Sequence, residues 1–343
     1  MNSTLFYRIV FGIVLAISLY ALAYAQPLSE RPNKSAVIAF YNVENLFDTI
    51  DDPIKRDNEF LPDSAKKWRS ERYWAKQSKL AEVISQIGAP SYPAIIGLCE
   101  VENIGVLEDL VKDEKLKNSK YEPILIEGPD QRGIDVALLY SKKRFKVISA
   151  SSYNVDLGVA NRPTRDILHV RGKFKSGGPT LNVFVNHWPS RYGGAEKSEP
   201  KRIAAAEVLK TKTDSIAKVH PKELIVCMGD FNDYPDNKSL TETLSAGKDK
   251  QLVNLMYGLK ETKRGSYNYK GDWDFLDQII VSGNLMDGTL PEIMEGSTAP
   301  FFTDSMLFQH PRYGDMKPSR TYGGPNYYGG YSDHLPVYTV IQY

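Results

Sequence analysis

Apolar residues in this chain come in short dense runs separated by polar breaks that contain Gly, Pro or charged residues. Runs at Ala36–Tyr41, Ala94–Cys99, Val136–Tyr140, Phe145–Ala150, Ile167–Phe174, Leu181–Asn186, Leu224–Met228, Leu276–Val281 and Leu335–Ile341 have the length and bounding signals of buried β-strands. A different period governs Ser70–Ile87, where Trp74, Leu80, Val83, Ile84 and Ile87 recur at helical spacing until Gly88 and Pro90 stop the helix. Helical patterns also cover Ile104–Val111, Lys201–Ala217 and Lys238–Leu244. Breaks such as Ser176–Pro179 suit antiparallel hairpins, and strands outnumber helices. With no repeat and no linker between two cores, the pattern predicts one α+β domain over residues 35–343.

The N terminus departs from this pattern. Arg8 is the only charge among residues 1–25; an apolar stretch runs from Ile9 to Leu22, and Ala23-Tyr24-Ala25 follows. That is the layout of a signal peptide. The apolar stretch is short for a membrane span. The expected mature protein begins with a polar tail, residues 26–34, is secreted or periplasmic, and makes no stable membrane insertion after cleavage. Loss of Arg8 leaves the formal charge, +1 for the whole chain, at neutrality. A neutral mature chain argues against a non-specific polyanion binder, while leaving room for a local basic groove. Cys99 and Cys227 each lie near the end of an apolar run before an acidic motif; both are expected as buried free thiols.

Chemistry gathers at the ends of the strand-like runs. Tyr41-Asn42-Val43-Glu44-Asn45, Cys99-Glu100-Val101-Glu102-Asn103, Asn186-His187-Trp188 and Gly229-Asp230-Phe231-Asn232-Asp233 end four of them, and Ser332-Asp333-His334-Leu335-Pro336 opens the last. Strand ends are rigid, so side chains there can be held in a fixed constellation. Asp, Glu and Asn oxygens suit a hard cation, and histidines supply acid/base chemistry. Hydrolysis of a phosphate ester uses these parts: a cation at the phosphoryl oxygens, a group that orients water, and help for the leaving oxygen. Taken singly, each motif also reads as a turn, a cap or a core histidine; the combination is what is specific.

In that combination the chain resembles the endonuclease/exonuclease/phosphatase superfamily. Asn42, Glu100, His187, the Gly229–Asn232 motif, Asp277 and the Ser332–Pro336 motif follow in that superfamily's order over about residues 35–343. The resemblance implies a four-layer α/β/β/α sandwich of two packed mixed sheets. It implies Glu100, Asn42 and Asp333 as ligands of Mg2+ or Mn2+, with Ca2+ a further candidate. It implies Asp230 as the group that orients or deprotonates water, Asn232 and Arg165 as holders of phosphate oxygens, and His334 on the scissile phosphate with Asp277 fixing its tautomer. His187 resembles a second histidine of the deoxyribonuclease and sphingomyelinase branches, with Asp135 as its carboxylate partner. Where many members carry Gln before the metal-binding Glu, this chain has Cys99. Glu102 is a rival to Glu100, and Glu44 and Asp233 are expected in supporting roles.

Three functions stay open at this level. The first is a phosphodiesterase or endonuclease, favoured by the paired histidines, with nucleic acid among the candidate substrates. The second is a phosphatase or phospholipase-type hydrolase acting on inositol phosphates or sphingomyelin, favoured by the neutral charge. The third is a catalytically silent binding module. A monomer is expected. Two irregular segments, Gly258–Trp273 and Thr298–Gly330, carry aromatic residues and the cations Lys263, Arg264, Lys270, Arg312, Lys317 and Arg320, and are expected to overhang the site.

Overall fold

The computed structural model describes residues 34–247, 251–262, 264–311 and 314–343. Residues 1–33, which take in the expected signal segment and most of the polar tail, lie outside the described residues, as do Lys263 and Arg312. In chain order, β1 (Ser35–Leu46), β2 (Ile95–Val101), β3 (Tyr121–Leu125) and β4 (Asp135–Ser141) enter one sheet. β5 (Phe145–Tyr153), β6 (Ile167–Phe174), β7 (Thr180–His187), β8 (Leu224–Asp230), β9 (Ala246–Gly247) and β10 (Leu252–Asn254) enter a second. A ribbon of β11 (Tyr267–Tyr269) and β12 (Asp272–Asp274) leads to β13 (Asp277–Ser282), which rejoins the second sheet. β14 (Glu292–Ile293) and β15 (Ala299–Pro300) return to the first sheet. Two more ribbons follow, β16 (Leu307–Gln309) with β17 (Met316–Pro318) and β18 (Tyr322–Gly323) with β19 (Asn326–Tyr327), before β20 (Val337–Gln342) closes the chain. The helices are α1 (Ser70–Gln86), α2 (Ile104–Lys112) and α3 (Ala195–Val219).

The first sheet runs β14-β20-β1-β2-β4-β3 and the second β5-β6-β7-β8-β13-β10-β9. Each contains one long parallel pair, β1 with β2 and β7 with β8, joined through α1 and α3 respectively; their other long-strand pairings are antiparallel. The expected four-layer sandwich is found. Val37, Ala39 and Tyr41 of β1 face a core shared with Leu80 and Ile84 of α1 and Leu107 and Leu110 of α2. The alternate residues Ala36, Ile38 and Phe40 face the second sheet, against Leu168, Val183, Val226 and Ile279. On the far side, Phe184, Ile225 and Cys227 meet Ala205, Ala206 and Leu209 of α3. A strand covered on both faces needs apolar residues at every position, which is why β1 reads as a continuous run rather than an alternation. Each fully buried Leu or Ile in these layers contributes about 1.5–3 kcal/mol of transfer free energy.

Local signals explain where prediction and structure part. The strand β3 was hidden by Pro123, which a sheet tolerates at an edge, and β3 is the edge strand. Asn103 starts α2 as an N-cap, accepting from the Val106 N–H at 3.1 Å. The third helix begins six residues before Lys201, at Ala195, and carries Pro200 within its early turns. Lys238–Leu244 forms only a π-helical turn over Ser239–Thr243. Both cysteines are buried and free. Among the described residues no helix is long and apolar enough to cross a membrane.

Candidate active site

Alternation along the strands delivers the site. On β1 the series Ala36, Ile38, Phe40 faces the layer between the sheets, and the next position in the series is Asn42. On β7, Leu181, Val183 and Val185 lead to His187; on β8, Leu224, Val226 and Met228 lead to Asp230. On β13 the series Val281, Ile279 runs back to Asp277. The polar residues therefore line one end of the inter-sheet core, at the carboxyl ends of the two parallel pairs. His334 arrives at the same end, just ahead of β20.

Glu100 breaks the alternation. Cys99 occupies the inter-sheet face of β2, so regular geometry would turn Glu100 outward. A register shift between Cys99 and Val101 and a left-handed Glu100, φ 63°, re-aim it. Its Oε1 then accepts from Asn42 Nδ2 at 3.2 Å and its Oε2 from the Asn45 N–H at 2.9 Å. Glu44, Asn45 and Asn232 are also left-handed, with φ near 51° at each, so both sheets kink where the site begins.

Asn42 ties the sheets together, since its Nδ2 also donates to Asp230 Oδ2 at 3.1 Å. Asp230 accepts from the Asn232 N–H at 2.9 Å and lies 3.7 Å from His187 Nε2. His187 Nε2 is 4.0 Å from Glu100 Oε1. His334 Nδ1 bonds Asp277 Oδ2 at 2.6 Å. Burial pushes the Asp230 carboxyl up to about 7; His334 pulls it down, while Asp277 and Glu100 push it further up. Burial would deprotonate both histidines. For His334 the charge and hydrogen bond of Asp277, with Asp230 and Asp333, outweigh burial and hold the imidazolium well above the usual histidine range. Burial wins at His187, helped by Arg165, Arg132 and His334, and holds that ring neutral. One cationic and one neutral imidazole in the same mouth is an acid/base pair by environment.

Asn42, Glu100, His187, Asp230, Asp277 and His334 thus converge. Two expected residues, Asp135 and Arg165, take other places, while Asn232 and Asp333 stay beside the site with contacts of their own. Asp135 does not reach His187: its Oδ1 accepts from the Gly128 N–H at 2.8 Å, and His187 Nδ1 has no hydrogen-bond partner. Arg165 is committed inward, donating to the carbonyls of His187 at 3.0 Å and Trp188 at 2.5 Å and pairing with Asp130 at 3.2 Å. It fixes the chain that carries His187 rather than presenting a guanidinium to phosphate. Asp333 forms an ion pair with Arg320 at 2.7 Å, so a ligand role would compete with that contact. Asn232 gives one amide hydrogen to Trp188 O at 3.0 Å. Glu102 accepts from the Asp48 N–H at 2.7 Å and does not rival Glu100. Glu44 accepts from the Thr321 and Tyr322 N–H groups, and Asp233 pairs with Arg202 at 2.7 Å; both support loops.

Some contributors carried no sequence signal of their own. The Tyr267 ring lies 4.8 Å from the His334 ring, tilted by 38°. Ser332 Oγ donates to Asn42 O at 2.7 Å and accepts from the His334 N–H at 3.1 Å, which sets the motif against β1. Asp130 anchors Arg165 and Arg132. Ser332 was visible beforehand as part of its motif and Tyr267 as an aromatic of the Gly258–Trp273 segment, whereas nothing in the sequence singled out Asp130.

The donor set fits a hard divalent cation. Glu100, Asp230 and Asp277 concentrate carboxylates in a buried mouth, and Asp277 Oδ1 is buried with no hydrogen-bond partner. Asp230, Asp277 and His334 have ligand atoms within 4.8 Å of one another, as do Cys99, His187 and Asp230. Asn42 and Glu100 add oxygen donors at the open side, where Glu100 is only partly buried. Magnesium or manganese suits oxygen donors better than zinc, since Cys99 is the one soft donor in these groups.

Known structures share this architecture. An endonuclease/exonuclease/phosphatase family protein from Bacteroides thetaiotaomicron superposes with a TM-score of 0.57 at 16% identity, over 90% of this chain and 94% of that one. Truncated TDP2 from Caenorhabditis elegans gives 0.56 at 14% identity over 90% and 98%. A mannosyl-6-phosphatase from Bacteroides thetaiotaomicron gives 0.54 at 16% identity over 90% and 100%. At these identities the likeness is one of fold. Among curated proteins there is no match. The model of the Endonuclease/Exonuclease/phosphatase family matches residues 37–343, nearly the whole described chain, and the protein belongs to that family of metal-dependent phosphate-ester hydrolases.

Proposed function

We propose that the protein is an exported phosphodiesterase that uses magnesium or manganese. The observation that carries this reading is the pair of histidines that meet at Asp230, His187 with its Nε2 3.7 Å from that carboxylate and His334, held by Asp277, with its ligand atom within 4.8 Å of it. A diester reacts through a tighter transition state than a monoester, so help to both the attacking water and the departing oxygen counts for more. Asn42 and Glu100 would hold the cation, with Asp230 and Asp277 adding negative charge beside it. When bound, the cation neutralises charge on the phosphoryl oxygens. The Asp230 carboxylate, raised toward neutrality, accepts a hydrogen bond and then a proton from the attacking water. The imidazolium of His334, held by Asp277 through Nδ1, keeps its other N–H for a phosphoryl oxygen or the leaving oxygen. Neutral His187 stands across Asp230 and can accept or return a proton through Nε2. Export rests on the Ile9–Leu22 run and Ala23-Tyr24-Ala25, which place the mature terminus at Gln26; a secreted product still starting at Met1 would contradict it.

The test is hydrolysis of bis(p-nitrophenyl) phosphate and p-nitrophenyl phosphate by the mature protein. Exhaustive chelation should abolish turnover, and magnesium or manganese should restore it. His187→Ala and His334→Ala should each lower kcat by roughly a hundredfold or more with unchanged circular dichroism. Full activity after chelation sinks the proposal. Preference for the monoester, with His187→Ala nearly fully active, transfers the assignment to a phosphatase of small phosphorylated compounds. The neutral mature charge is what supports that second reading.

A further inference from the structure

The floor of the active-site mouth holds a donor that the proposed reaction does not use. Cys99 is fully buried on β2 and faces the layer between the sheets. Its Sγ, a ring nitrogen of His187 and a carboxylate oxygen of Asp230 all lie within 4.8 Å of one another. Cys99 belongs to the first sheet, while His187 and Asp230 are paired positions of β7 and β8 in the second. The thiol is free, with no disulfide to remove it from the set. His187 is 5% exposed, and its Nδ1 is buried without a hydrogen-bond partner.

We propose that Cys99, His187 and Asp230 form a second metal site, which takes zinc and switches the enzyme off when filled. Binding stands on the geometry alone; the inhibition rests on the phosphodiesterase reading, in which Asp230 and His187 handle the proton of the attacking water. Zinc is the ion that accepts sulfur, nitrogen and oxygen donors together, with three protein ligands and one further position. Magnesium keeps to oxygen and has no use for the thiol. Zinc bonds of about 2.0–2.3 Å in a tetrahedron set ligand atoms roughly 3.3–3.6 Å apart. His187 Nε2 and Asp230 Oδ2 are already 3.7 Å apart. Glu100 Oε1, 4.0 Å from His187 Nε2 on the partly exposed side of the mouth, supplies the fourth position. On binding, the Cys99 S–H gives its proton to solvent and an S–Zn bond replaces it, with nothing oxidised or reduced. A filled site takes the lone pairs of Asp230 and His187 that the reaction needs, and it draws Glu100 away from the catalytic cation. The hard and the soft ion therefore exclude one another, although only one of them needs sulfur.

The experiment titrates the mature protein, stripped of metal by a chelator, with cobalt(II) as the coloured stand-in for zinc. The parent should develop a thiolate-to-cobalt charge-transfer band and the visible bands of a tetrahedral ion, and zinc should bleach both. Cys99→Ala and Cys99→Ser should lack the charge-transfer band. Cys227→Ala should keep it, because that cysteine faces the α3 side of the second sheet. With magnesium and bis(p-nitrophenyl) phosphate, and against each protein's own zinc-free rate, Cys99→Ala should raise the zinc concentration for half-inhibition by at least about tenfold. No charge-transfer band in the parent, a band that survives loss of Cys99, or equal zinc inhibition of parent and Cys99→Ala overturns the proposal. The parent's spectrum needs no variant, so a Cys99→Ala chain that fails to fold leaves that first test in force. A Cys99-dependent band in a protein that hydrolyses no diester would instead strike the phosphodiesterase reading and leave the metal site standing.

Discussion

Burial acts on the site's titratable side chains in one direction, toward their neutral forms, and specific neighbours decide which of them yield. Asp277 rescues the charge of His334, while nothing rescues His187. Asp135 shows the same physics outside the site. Burial pushes its carboxyl up to about 6 although the Gly128 N–H stabilises the ionised form. An unfolded aspartate titrates near about 3.9, so the folded chain holds this proton more tightly. That contribution to stability is present below about pH 4 and is lost as pH rises through about 6. Asp135→Asn should therefore raise the melting temperature above pH 6 and gain nothing near pH 4. Because Asp135 does not touch His187, turnover should stay within about threefold of the parent rather than fall by the hundredfold of a lost acid/base partner. Thermal melts across pH and steady-state kinetics decide the matter, and a large loss of turnover would restore the pairing that the sequence suggested.

At the scale of the strands, most site residues were legible as polar positions ending apolar runs in a family's order, and the period of two in β-structure explains why they meet. A polar residue that continues an apolar series must sit at the end of the face the series buries, which places Asn42, His187, Asp230 and Asp277 together. Glu100 lay beyond such reasoning, since its direction depends on a bulge and a left-handed backbone that no apolar pattern announces. Arg165 and Asp135 were misplaced for a related reason: a charged residue beside a motif can serve the backbone as easily as the substrate, and carbonyl partners leave no mark in the sequence. The strands also explain Gly229. A Cβ there would lie 2.4 Å from Asn186 O, on the neighbouring strand of the parallel pair. Gly229→Ala should force β7 and β8 apart, costing about 1–3 kcal/mol of stability. Because the same shift separates His187 from Asp230, kcat should fall by far more than the unfolded fraction accounts for. Denaturant titration with kinetics on the folded variant checks this, and an unchanged midpoint would show that the strands have slack.

Across the whole molecule, the chain builds most of one sheet, crosses once to build the other, and returns at its C terminus. The site divides along the same line, with Asn42, Glu100 and the approach to β20 that carries His334 on the first sheet, and His187, Asp230 and Asp277 on the second. Within the site the Asn42–Asp230 and His334–Asp277 hydrogen bonds cross the divide, while the apolar layer behind them supplies the adhesion. Catalysis is thus a readout of how the two sheets dock. A substitution deep in that layer, far from any phosphate, can slide one half of the site against the other and silence the enzyme while both sheets remain folded. For this protein, activity is a ruler for the spacing between its sheets, finer than any spectroscopic signal of secondary structure.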